Sequence, residues 1–381
     1  MRLTFKLVLI FSAVTALFNS CKNDLKILAP YKETMSVYAI LNSQESAPAD
    51  EFTINSKFHR QYIRINKVFL GEGNAYEMAQ VNDSVNYRQG VLRVSLTRTL
   101  YGNAAPTTKG NGSKYEIVFN DTVIQMAPGP FNQNQRLWYT DDSLYSTGDY
   151  HLKIKNTQTG AEFNSKVSMI SAILQPGIFQ PLGSPYYPVA YSPSNPSYYY
   201  LDLSNTALHR TIKFNSVPNG RDYACIMRFN YYDYVGSDSI LQSIDYEFTR
   251  ISSLTLDGNE PLEFDYNSAD YFNYLSAAIV KNGDPPGFLK RRAVNIEYII
   301  TAAAQDFADF IKVSAPSTSV AQDKPTYSNI DNGAFGIFSC RSTYRAPKQL
   351  ANATLDYLAS KKPLCDLRFV NSAGNISPTC N

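Results

Sequence analysis

Five cysteines, three histidines and a crowd of tyrosines are the side chains with most chemistry to offer in this 381-residue chain. Cys21 stands far from Cys225, Cys340, Cys365 and Cys380, so thiol chemistry divides into one N-terminal site and one later group. His59, His151 and His209 show no two-His spacing that would hold zinc, and each reads as a surface or strand residue. Asp141, Asp142 and Asp149, or Asp257 and Glu260, offer the oxygen ligands that calcium takes, but no EF-type loop frames them. Solvated loops are the expectation there. "GEGNAY" (Gly71 to Tyr76) begins like a dinucleotide fingerprint but has Tyr76 where the third glycine belongs, and it reads as a turn. The chain has no Gly-x-Ser-x-Gly elbow, P-loop or zinc-protease helix. A non-enzymatic protein with no cofactor and no metal is expected.

Tyrosine offers a flat apolar ring and a hydroxyl, and there are 28 of them against one Trp. Tyr186, Tyr187, Tyr191 and Tyr198 to Tyr200 crowd one stretch, while Tyr231, Tyr232 and Tyr234 crowd another. Three uses stay open. The rings can form a platform on which a glycan stacks. Tyr187, Tyr191 and Tyr199 can anchor an interface with a larger partner. Strand alternation can also bury one side of each run as ordinary sheet packing.

Arg2 and Lys6 precede an uncharged run, Leu7 to Phe18, that is long enough for a secretory h-region and too short to span a bilayer. Residues 1–20 therefore read as a signal peptide. Ser20 directly before Cys21 resembles the lipobox of bacterial lipoproteins, with Phe18 where Leu usually stands. That resemblance implies an acylated Cys21 as mature N-terminus, followed by a lipidated tether over 21–33. Lys22-Asn23-Asp24 places no Asp beside the cysteine, which implies outer-membrane sorting. The short charged cluster is similar to surface-export signals of Bacteroidota lipoproteins and favours the cell surface over the periplasmic face. Acyl chains would be the membrane anchor, since no second apolar run is long enough to cross. Removing Arg2 and Lys6 from 35 basic residues leaves 33 against 33 acidic, so no net field recruits nucleic acid.

The elements that must position these residues are mostly strands. An aromatic share of 13% suits pleated sheet. Met35 to Leu41, Gln61 to Leu70, Gly90 to Leu100 and Lys114 to Phe119 alternate or are rich in β-branched residues. Tyr150 to Ile170 reads as a hairpin turning over Asn156 to Gly160. Gly148 followed by Tyr150 resembles the tyrosine corner of immunoglobulin-like domains. The expected fold is mainly β, with an immunoglobulin-like β-sandwich over 34–172, a Pro-rich linker over 173–197, and an α+β domain with antiparallel sheet over 198–381. In the last region, Tyr198 to Leu203, Ala293 to Thr301 and a long hairpin around Gly236 are expected strands. Helices are expected only there. One carries Phe272, Leu275 and Ile279 after a cap at Asn267 or Ser268. A second carries Ala303, Phe307, Phe310 and Ile311. A third carries Leu350, Thr354, Tyr357 and Leu358, with Pro347 in its first turn.

"DFADFIKVSAP" and "SNIDNGAFGIFSCRSTYR" are similar to the end of a Bacteroidota outer-membrane lipoprotein family of unknown function, often encoded beside TonB-dependent receptors. One extra residue separates Gly333 from Gly336 relative to the family pattern. With "YIRINKVFLGEGNAYEMAQ" the likeness covers most of the mature chain. It implies an outer-membrane location and a TonB-dependent receptor as partner, with an accessory role in nutrient capture or surface organisation. The two glycines would allow a tight reversal and close strand packing.

Four tripeptides, at Asp83-Ser84-Val85, Asp121-Thr122-Val123, Asp142-Ser143-Leu144 and Asp238-Ser239-Ile240, resemble the periplasmic O-glycosylation acceptor of Bacteroidota. That makes Ser84, Thr122, Ser143 and Ser239 candidates, although Asp and Ser also favour turns. In an oxidising compartment the remaining four cysteines have three connectivities. Cys365 and Cys380 close the shortest loop and would staple the C-terminal tail. Cys225 either pairs with Cys340 or is buried as a small apolar residue. Replacing the anchor thiol, Cys21→Ser, should leave an unacylated precursor that no longer fractionates with membranes. Wild-type mass shift and membrane retention in that variant would refute lipidation.

Overall fold

The computed structural model describes residues 34–46, 60–68, 75–99, 114–129, 133–142, 144, 148–171, 173, 177–179, 187–188, 200–315, 326–377 and 380. Cys21, Ser143, Tyr191 and Tyr199 lie outside these. The fold is mainly β. Its first eight strands are β1 (Met35–Ser46), β2 (Gln61–Lys67), β3 (Leu92–Thr99), β4 (Lys114–Val118), β5 (Asn120–Gln125), β6 (Asn134–Thr140), β7 (Asp149–Asn156) and β8 (Glu162–Ser168). Ten follow: β9 (Gly177–Phe179), β10 (Tyr187–Pro188), β11 (Tyr200–Leu201), β12 (His209–Asn215), β13 (Asp222–Val235), β14 (Asp238–Glu247), β15 (Ile251–Ser252), β16 (Pro261–Asn267), β17 (Phe288–Ala303) and β18 (Phe335–Leu350). Helices α1 (Ala75–Met78), α2 (Asn82–Val85), α3 (Ser268–Asn282), α4 (Gln305–Ser314) and α5 (Asn352–Ser360) complete the set with a 3-10 turn at Cys365–Leu367.

One long sheet runs β14-β13-β17-β18-β1-β2-β6-β5, and β11 and β15 add short pairings to β18 and β13. It takes strands from both expected regions. The joint is β1, which pairs parallel with β18 on one side and antiparallel with β2 on the other. Met35, Val37, Ala39 and Leu41 of β1 are fully buried while Tyr38 between them is exposed, so one face of the strand points inward. Register carries that face along the sheet through Ile63, Trp138, Phe338, Cys340, Ile300 and Tyr298 to Met227 and Phe229. Burying each such large apolar side chain contributes roughly 1.5–3 kcal/mol. Two further sheets, β4-β3-β7-β8 and β10-β9-β12-β16, complete the strands.

Residues Asn329 to Gly336 build the joint. Asn329 mimics a strand: its Nδ2 donates to the Phe338 carbonyl at 2.8 Å and its Oδ1 accepts from the Phe338 N–H at 2.9 Å. Asp331 accepts from the Asn164 N–H, Asn332 donates to the Glu162 carbonyl, and the Ser165 hydroxyl donates to the Asn329 carbonyl, which ties the turn to β8. Gly333 makes the reversal with φ +79° after Asn332 at +56°. Gly336, at φ +110°, lies opposite Val37, whose carbonyl oxygen occupies the space a Cβ would need.

The β7–β8 hairpin turns through Gly160 at φ +77°, with Asn156 Oδ1 accepting from the N–H groups of Gln158 and Thr159. Tyr150 is fully buried at its start. The β13–β14 hairpin turns at Gly236 with φ +59°. Asn267 caps α3 by accepting from the Asp270 N–H at 2.8 Å, and Phe272, Leu275 and Ile279 are buried beneath it. Elsewhere the observed elements differ from expectation. Single-turn helices α1 and α2 occur in the N-terminal half. The Pro-rich stretch contributes β9 and β10, which extend the sheet of β12. Ala303 ends β17 and does not open the second helix. Pro347 and Leu350 belong to β18, not to the third helix, which begins at Asn352. Pro347 falls after the last β1 pairing at Tyr344 and before the Tyr200 pairing at Gln349, where a missing N–H costs the ladder least.

Gly336→Ala should lower unfolding free energy by on the order of 3 kcal/mol, since it combines positive φ with backbone overlap. Denaturant titration monitored by far-UV circular dichroism measures this. A loss of less than about 1 kcal/mol would show that the β1–β18 approach is not closely constrained.

Candidate functional site

The face of the long sheet opposite the core carries the alternate residues of the same strands. Across β14, β13, β17 and β18 it forms rungs. Arg228 pairs with Asp245 through two hydrogen bonds of 2.7 and 2.9 Å, and Arg345 pairs with Glu297 at 3.4 Å. In the next rung the Ser243 hydroxyl donates to Asn230 Oδ1 at 2.6 Å, and Asn230 Nδ2 donates to Asn295 Oδ1 at 2.8 Å. Gln349 lies opposite Asn295, and Tyr200 of β11 lies opposite Gln349 with 57% of its surface exposed. Beyond them Tyr232 faces Leu241 and Arg292, and Tyr234 faces Ser239 and Lys290. Tyr232 and Tyr234 are half-buried and, as alternate residues of one strand, about 7 Å apart. Lys290 Nζ lies 5.5 Å from the Tyr234 ring centroid.

A cavity of about 650 Å3 opens where this face meets the end of β18. Tyr232, Tyr234, Lys290, Arg292 and Gln349 line it on the sheet side, and residues 370–374 of the tail form its opposite wall. The pairing between β13 and β17 shifts register between Asn230 and Tyr231, which leaves Val294 as an extra residue at the cavity. Such bulges re-aim side chains and recur beside binding sites. The tail is held in place by bridges from Phe369 to Arg291 and from Val370 to Ile376. Phe369 packs edge-on against Phe229 and Tyr231.

Behind the cavity lies an ion-pair cluster. Arg291 is almost wholly buried, 2.9 Å from Asp233 and 2.5 Å from Asp284, and donates to the Leu367 carbonyl at 2.9 Å. Burial holds the Asp233 carboxyl above the usual range, with Arg291 pulling the other way. Neither carboxylate lines the cavity. Lys348, buried on the core face, is pushed down to about 8 by loss of hydration. In the core nearby, the Tyr266 and Tyr298 hydroxyls are 2.9 Å apart, and burial raises Tyr266 to about 12.

Of the residues singled out in the sequence, Tyr200, Tyr232 and Tyr234 come to one face, whereas Tyr231 is buried in the core. Tyr187 sits in β10 opposite Ile178, and Tyr191 and Tyr199 lie outside the described residues. Cys365 and Cys380 form a disulfide with Cα atoms 5.6 Å apart. Cys225 and Cys340 are not joined; each is a buried free thiol, as fits small side chains on the inner face, and burial raises both. Ser239 is exposed, Ser84 in α2 and Thr122 in β5 are half-buried, and Ser143 lies outside the described residues. His151 and His209 are exposed, and His59 lies outside the described residues. Among the described residues the one cluster with metal-ligand types is Cys365, Asp366 and Cys380, where the disulfide occupies two of the three. A second cavity of about 590 Å3 lies beside α2, but its cations turn inward: Lys67 donates to the Asp83 carbonyl and Arg88 pairs with the Asp83 carboxylate.

Lys290, Arg292 and Gln349 belong to no motif. Their signal is the run Lys290-Arg291-Arg292 inside a strand, where period-two alternation sends the outer two to one face and the middle one to the other. Comparison of the chain with protein-family models and with curated proteins finds no match to either.

Because the folded state holds Lys348 near 8 and the unfolded chain near 10.4, folding releases a proton between those values, and stability should rise with pH there. Denaturant titrations from pH 8 to 10 should show a gain of about 2 kcal/mol that Lys348→Met abolishes. An identical slope in the variant would assign the dependence to other groups. The buried tyrosines act in the opposite sense above pH 10.

Proposed function

We propose that this is a non-enzymatic, lipid-anchored outer-membrane protein that captures glycans on the outer face of its long sheet for a TonB-dependent receptor. The observation that carries the glycan reading is the placement of Tyr232, Tyr234 and Tyr200 on one face with an amide ladder, the first two lining an open cavity. Sugar rings present apolar faces edged by hydroxyls. Half-buried tyrosine rings meet the first, and the amides of Asn295 and Gln349 meet the second. Gln349 lines the cavity on the sheet side, at the rung of Asn295. The resemblance of the residues before Cys21 to a lipobox supports the membrane location, and the resemblance to a Bacteroidota lipoprotein family supports the receptor as partner. A lipid anchor raises the effective concentration of the site for a membrane partner without demanding high intrinsic affinity.

The alternative use of these tyrosines as packing groups makes the opposite forecast for stability. Tyr232→Ala and Tyr234→Ala, titrated with a panel of oligosaccharides by calorimetry, should each weaken binding by roughly tenfold and leave the melting temperature nearly unchanged. Variants that bind as wild type does would overturn the site. So would variants that lose stability in step with affinity. Co-purification of a receptor after mild crosslinking of intact cells tests the delivery step, and recovery of the free monomer alone would remove it.

A further inference from the structure

Charge on the outer face is unevenly cancelled. Asp245 is matched by Arg228 and Glu297 by Arg345. Asp233 and Asp284 are matched by Arg291, which points away from the cavity into the core. Lys290 and Arg292 remain, adjacent on one strand face and lining the cavity, with no carboxylate partner among the described residues. Asp356, next to the lining residue Leu355, accepts from the Ser372 N–H and hydroxyl and so is already engaged with the tail. Holding two unmatched cations side by side costs repulsion, which a bound anion would relieve.

We propose that the ligand of this site is an acidic saccharide, with a carboxylate or sulfate on the ring held by Lys290 and Arg292 while the ring stacks on Tyr232 and Tyr234. This rests on the glycan reading and narrows it. Arg292, with its planar fork of donors, suits a bidentate contact to either oxyanion, and Lys290 supplies a second, flexible charge. The Lys290 ammonium, 5.5 Å from the Tyr234 ring centroid, is pre-positioned beside the aromatic platform. Gln349, on the same wall, reaches the sugar hydroxyls.

The test uses the full chain with three probes: tetragalacturonate for the carboxylate, a chondroitin sulfate tetrasaccharide for the sulfate, and maltotetraose as a neutral control. At least one acidic probe should bind roughly tenfold more tightly than maltotetraose and weaken as salt is added. Which acidic probe binds distinguishes the two anionic groups. Lys290→Gln with Arg292→Gln should remove the acidic preference and spare any maltotetraose binding, with melting temperature as the control for folding. If maltotetraose binds as tightly as the acidic probes, or the double variant keeps the preference, the acidic inference fails while the glycan reading stands. If none of the three binds, the glycan reading fails with it.

Discussion

The parallel pairing of β1 with β18 is the contact on which the remaining architecture depends. Parallel neighbours need a crossover, and here almost the whole chain lies between the two strands. Without that pairing the long sheet would separate into β14-β13-β17-β18 and β1-β2-β6-β5, each with an additional open edge. With it, a single apolar face extends across both, from Trp138 to Phe229. Gly336 makes the approach possible by leaving room for the Val37 carbonyl. The hydrogen bonds of Asn329, Asp331 and Asn332 then fix the entry to β18 against β8. The segment from Asn329 to Gly336 therefore acts as the clamp of the sheet.

The same strands perform two tasks on opposite faces. On the inner side alternate residues are large, apolar and buried. On the outer side their neighbours are hydrogen-bonded amides, ion pairs and half-buried tyrosines. Helix α4 closes the outer face near the start of β18, where Phe310 meets Tyr38 edge-on and Ser339 is fully buried. The other end stays accessible among the described residues. A rigid paired sheet is a suitable support for recognition groups because its backbone hydrogen bonds hold the side-chain spacing without help from a ligand.

Local features were legible in the sequence wherever local chemistry determined them. Asn267 and the spacing of Phe272, Leu275 and Ile279 specify α3, and Gly236 between two alternating runs specifies the β13–β14 hairpin. Partnering was not legible, because alternation fixes which face of a strand is apolar and says nothing about which strand lies beside it. Alternation therefore carries no sign that both halves share one sheet. A proline before an apolar periodic run looks like a helix start, and only the gap beside β18 shows why the strand tolerates Pro347. At the site, the tyrosine-rich run was visible but the cations were not. Lys290 and Arg292 gain meaning only when β17 is set beside β13.

The tail gives the molecule a dependence on its surroundings. Residues 370–374 wall the cavity, attached to the body through the bridges at Phe369 and Val370, the packing of Phe369, the hydrogen bonds from Ser372 to Asp356, and the disulfide beyond them. A crosslink spanning 15 residues limits how far such a segment can stray when those weaker contacts open. Material folded in a reducing cytosol would keep the long sheet, whose two other described thiols are buried and unjoined, while its cavity wall would lack that restraint. Redox conditions around the protein would thus reach the cavity wall without touching the core.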